Sequence, residues 1–84
     1  MGTSIHRVVY KEKHGGWINK VEYADKPSSV HYTQLAAIAS AKMMLREQGG
    51  GTLIVRDLNG LIKDRIQIYP GKLITVVRTK GGYR

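Results

Sequence analysis

Eighty-four residues are too few for two ordinary hydrophobic cores, and without cysteine the chain has neither a disulfide framework nor a thiolate metal cage. Fourteen Lys and Arg against six Asp and Glu give a formal charge of +8, a positive field that gathers polyanions rather than substrates of its own sign. No apolar run approaches the roughly 20 residues needed to span a bilayer, and the N-terminus carries no signal-peptide stretch, so a single soluble domain, 1–84, in a reducing cytoplasm is expected.

Ile5 to Lys11 is rich in β-branched and aromatic residues, and Lys13-His14-Gly15-Gly16 after it has turn chemistry. Trp17 to Tyr23 then alternates apolar and polar positions, so the two runs predict a hairpin. Asp25 to Ser29 breaks the pattern and predicts a crossing to the next element. From Thr33 to about Gln48 the period becomes helical, with Ala37, Ile38, Ala41, Met44 and Leu45 on one face. Thr33 is the expected N-cap, and Gly49-Gly50-Gly51 the expected left-handed stop.

Thr52 to Arg56 predicts a strand, and Asn59-Gly60 a two-residue type I′ hairpin into a returning strand, Leu61 to Tyr69. On that strand Ile62, Ile66 and Ile68 are expected to share one face, and Lys63, Arg65, Gln67 and Tyr69 the other. Pro70-Gly71 fits a type II turn into a last strand, Leu73 to Thr79, with an ordered core over about 5–79 and a basic tail at 80–84. The fold expected is α+β, in the order β-β-α-β-β-β, with one helix packed on one face of a small antiparallel sheet. A single helix of this length covers one face, which leaves the other for solvent, a ligand or a second subunit.

Catalytic chemistry has little foothold. His6, His14 and His31 show no metal-binding spacing, so no metal or cofactor is expected. Asp57 and Asp64 are expected to pair with Arg56, Lys63 and Arg65 across the hairpin rather than to act as acid and base. Gly49-Gly50-Gly51 follows the helix instead of preceding it, which is wrong for a phosphate loop. Trp17 is expected to seal the core. No enzyme activity, small-molecule substrate or membrane partner is expected.

The cations suggest a different use. Lys20, Arg56, Lys63 and Arg65, with Tyr69 interleaved, and then Lys72, Arg78 and Lys80 in a C-terminal segment without acids, form the candidate surface. Nucleic acid, DNA or RNA, is the partner expected, with phosphates contacted through the open sheet face and the C-terminal segment. The alternative is a protein-interaction or homodimerisation module in which Ile18, Ile74 and Val76 help to form the contact.

The chain also resembles a small bacterial and phage family known as domain of unknown function 2188. The resemblance is carried by Val8-Val9, Gly15-Gly16-Trp17, Thr33 with Ala37, Ile38 and Ala41, Gly49-Gly50, Leu53-Ile54-Val55, Asn59-Gly60 where the family usually has Asp-Gly, and a basic returning strand. It covers roughly Ile5 to Tyr69 and stops where the basic extension begins. It implies the fold and transfers no catalytic residue, while a phage or plasmid association goes with the nucleic-acid reading.

Overall fold

The computed structural model describes residues 5–70. Its elements are β1 (Ile5–Lys11), β2 (Trp17–Val21), β3 (Ser29–His31), α1 (Gln34–Glu47), β4 (Gly51–Arg56) and β5 (Ile62–Ile68). They form one five-stranded sheet in the order β3-β2-β1-β4-β5 with α1 packed on one side. The expected α+β architecture of one helix on one sheet is what the chain adopts. The expected strand over Leu73–Thr79, the Pro70-Gly71 turn and the 80–84 tail extend beyond the described residues.

Two features differ from the sequence expectation. Between β2 and the helix the chain makes a third strand instead of a plain crossing, with Trp17 opposite His31 and Asn19 opposite Ser29. Three residues beside Pro27-Ser28 are too short to show a period. The sheet is also mixed rather than antiparallel, because β1 and β4 run parallel from the Ile5/Gly51 pair to the Val9/Val55 pair. The meander β1-β2-β3 delivers the chain to the end where α1 starts, and the helix carries it back to where β1 began. A strand leaving that point beside β1 has to run in the same direction.

The helix ends as its caps dictate. Thr33 Oγ1 accepts the Ala36 amide at 3.1 Å. At the other end the Gly50 amide reaches the Leu45 carbonyl at 2.6 Å and the Gly49 amide that of Arg46 at 3.4 Å, with φ of 93° and 98° at Gly50 and Gly49. Ala37, Ala41 and Leu45 are fully buried against Val9, Trp17, Leu53, Val55 and Ile68. The two alanines let α1 lie close to the sheet, and Trp17 sits in this core as expected.

The β4–β5 reversal is a three-residue loop, Leu58 to Gly60, rather than the two-residue turn expected. The Asp57 amide donates to the Leu61 carbonyl and the Gly60 amide to that of Asp57, with Gly60 at φ 85°. Asp57 favours this form because its carboxylate accepts the amides of Asn59 and Leu61 at 2.9 and 3.0 Å.

Gly51 is the tightest joint. A β-carbon there would collide with the Ile5 carbonyl oxygen and meet Leu45 Cδ2 at 3.0 Å, so only glycine lets β4 start alongside β1 under the helix end. Gly51→Ala is expected to cost about 2 kcal/mol or more, against about 1 kcal/mol for Gly49→Ala, which meets nothing within 4 Å. Thermal unfolding of the two variants measures the difference; equal losses would mean that the β1–β4 joint tolerates a side chain.

Candidate nucleic-acid interface

Alternation along the strands sorts the sheet into two faces. Toward α1 point Ile5, Val9, Leu53, Val55 and Ile68, together with two polar residues, Arg7 and Asn19. Away from it the register aligns a row that crosses four strands: Lys20 opposite Val8, Val8 opposite Ile54, and Ile54 opposite Arg65. A second row runs through His6, Thr52 and Gln67, and a third through Tyr10, Ile18 and Val30. Val8, Ile18 and Ile54 are buried although they lie outside the helix-packed cluster. This face therefore has an aliphatic centre with Lys20 and Arg65 at either side.

The sequence-derived surface is only partly assembled. Lys20 is half-buried and Arg65 exposed, both on the open face. Arg56 folds its guanidinium onto the Gly60 carbonyl at 2.8 Å, at the hairpin. Lys63 does not join Arg65: the register shifts between Val55 and Arg56, and the Lys63 ammonium reaches Gln34 Oε1 at 3.1 Å, at the start of the helix. The same shift sets Ile62 opposite Arg56 and leaves it exposed, apart from Ile66 and Ile68. Tyr69 follows β5 and is exposed. Lys72, Arg78 and Lys80 are outside the described residues, as are Ile74 and Val76, and Ile18, expected at an exposed contact, is 1 % accessible.

The expected ion pairs of the β4–β5 hairpin are absent among the described residues. Asp57 is occupied by backbone amides, and Asp64 Oδ1 accepts the Arg65 amide at 3.0 Å. Elsewhere, His6 Nδ1 lies 3.5 Å from Glu22 Oε1, on the sheet face opposite α1. All six acids and ten of the fourteen Lys and Arg fall within residues 5–70, and none of those ten lies within 4 Å of a carboxylate.

One cation is withdrawn from any surface. Arg7 is 3 % exposed and lies in a polar seam beneath the helix. Its NH1 donates to Asn19 Oδ1 at 3.0 Å and Ser28 Oγ at 2.9 Å, and its NH2 to Gln48 Oε1 at 3.5 Å; Nε has no partner. Burial pushes the guanidinium pKa below its ordinary value, and the group stays cationic at neutral pH. Contact with Gln48 places it by the helix C-terminus, where the negative end of the helix dipole offsets part of the cost. Asn19 passes the seam onward through Nδ2 to Ser29 Oγ and Ser40 Oγ, and His31 Nε2 meets Ser29 Oγ at 2.8 Å. The signal for this seam was Arg7 standing between inward-facing Ile5 and Val9.

At the end where α1 begins, a cleft of about 350 Å³ is lined by Trp17, Gln34, Asp57, Leu58, Asn59 and Lys63. No group of three His, Asp or Glu that could hold a metal occurs among the described residues, and no helix there is long and apolar enough to cross a membrane.

A family model described as an uncharacterised protein conserved in bacteria, DUF2188, matches residues 6–68, and the chain belongs to that family. No curated protein and no solved structure matches it.

Because Asn19 holds the buried cation, Asn19→Leu is expected to cost about 1–3 kcal/mol in urea unfolding. Ser40→Ala, which removes two of the longer contacts of the seam, 3.4 Å to Asn19 and 3.3 Å to Ser29, and leaves Arg7 its acceptors, is expected to cost less. Equal stability of Asn19→Leu and the wild type would show that Arg7 does not need its side-chain acceptor.

Proposed function

We propose that this protein is a small nucleic-acid-binding module that contacts phosphates, without reading sequence, through the sheet face opposite α1. The supporting observation is the lack of local neutralisation: no Lys or Arg among the described residues lies within 4 Å of a carboxylate in a chain of net charge +8. Such cations can neutralise phosphates and so release the counter-ions condensed on a nucleic acid. Lys20 and Arg65 lie on the proposed face, with Arg56 at the neighbouring hairpin, and the segment after Pro70 adds four cations and no acid to the total. Lys42 and Arg46, on the helix, are outside the proposed contact.

Electrophoretic shift of duplex and single-stranded DNA and RNA by the full chain at two salt concentrations tests the reading. With about five phosphates contacted, log affinity for a duplex falls against log salt with a slope near −4.5. No binding to any of the four at low salt ends it.

A second reading, a protein-interaction or self-association module, has its own support. The register brings the β1–β2 loop, the end of β3, the start of α1 and the β4–β5 loop to one end of the sheet, and there Val30, Tyr32, Leu35, Leu58 and Leu61 are all more than half exposed. Sedimentation equilibrium at micromolar concentration distinguishes the two. A dimer that Leu58→Asp dissociates supports this reading, and a monomer throughout removes self-association.

A further inference from the structure

We infer that the sheet face opposite α1 takes double-stranded rather than single-stranded nucleic acid, with Lys20 and Arg65 on the two backbones that border one groove; this rests on the nucleic-acid reading above. The first ground is spacing. Lys20 on β2 and Arg65 on β5 end a single cross-strand row, Lys20–Val8–Ile54–Arg65. Three strand intervals of about 4.8 Å separate their Cα atoms by roughly 14 Å. The major groove of B-DNA is about 12 Å wide, so two flexible cations at this separation can each meet a phosphate on opposite rims.

The second ground is what stands between them. Single strands are held by aromatic side chains on which unpaired bases stack. Here the centre of the row is Val8 and Ile54, 7 % and 5 % exposed, with buried Ile18 in the next row. Tyr10 on the same face is half-buried, and the exposed tyrosines, Tyr23, Tyr32 and Tyr69, each fall just past the end of a strand. Among the described residues the Lys20–Arg65 row itself carries no aromatic ring; Tyr10 and His6, on the same face, stand in the rows to either side of it. Such a surface suits paired bases that keep their stacking to themselves and present phosphates at the edges.

Glu22 marks one limit of the contact. Its carboxylate lies 3.5 Å from His6 Nδ1, next to the row that carries Lys20. A phosphate there would meet the acid, so the contact centres on the Lys20–Arg65 row and extends toward Tyr10 rather than toward Glu22.

Fluorescence anisotropy of the full chain with labelled DNA duplex, RNA duplex and the matching single strands, near 0.1 M salt, tests the inference. Expected is the DNA duplex bound about tenfold more tightly than its strands, with Lys20→Ala and Arg65→Ala each weakening duplex binding about eightfold, the worth of one phosphate contact at that salt. Lys42→Ala, on the helix, leaves duplex affinity unchanged. Circular dichroism confirms that each variant is folded. Single strands or RNA duplex bound as tightly as the DNA duplex, or a Lys20→Ala/Arg65→Ala variant with wild-type DNA-duplex affinity, overturns the duplex geometry while leaving nucleic-acid binding standing. Failure of every probe to bind overturns the binding reading itself.

Discussion

The close approach of Gly51 to Ile5 governs the rest of the molecule. Because β4 can begin directly beside β1, the helix end at Gly49-Gly50 feeds straight into the sheet, and β1 becomes the central strand with a neighbour on each side. That placement buries Val9 beneath Ala37, Ala41 and Leu45 and leaves β1's other face, with Val8, in the middle of the open side. The same pairing fixes which residues share a row. Lys20 and Arg65, 45 positions apart in the chain, become the two ends of one line because β1 and β4 lie between them.

The layer under the helix is not purely apolar. Arg7 and Asn19 sit in it with no carboxylate to balance the charge, held by neutral acceptors from β2, the β2–β3 loop and the helix C-cap. Apolar contacts tolerate sliding, whereas a buried guanidinium has directional donors that only one docking of α1 satisfies. The seam thereby ties β2, β3 and the last turn of the helix to one register, and the short β3 gains an anchor through Ser29 and His31. It also removes one of the fourteen cations from any role at the surface.

Much of the fold was legible in the sequence. The helix and both of its caps followed from Thr33, the Ala37–Leu45 spacing and the glycines, since those signals are local and need no partner. The first hairpin and the burial of Trp17 were legible for the same reason. β3 was not, because three residues next to Pro27 carry no period, and the parallel β1–β4 pairing was not, because strand order depends on contacts 46 residues apart. The candidate surface was legible in part. Strict alternation put Lys63 with Arg65, and one shift of register at Val55/Arg56 sent Lys63 to Gln34 instead. The acids misled for a related reason: Asp57 has two amides within reach inside its own turn, and these outcompete an exposed salt bridge worth little in water.

What emerges is a family domain whose helix closes one side of a sheet and whose other side carries a row of two cations around an aliphatic centre. The most direct test is to follow backbone amide chemical shifts of the full chain while a short DNA duplex is added. The account predicts that the largest changes fall on Lys20, Val8, Ile54, Arg65 and their strand neighbours, with the outer helix residues around Lys42 and Arg46 unmoved. Changes confined to α1, or centred on Leu35, Leu58 and Leu61, would contradict it and move the working surface to another part of the molecule.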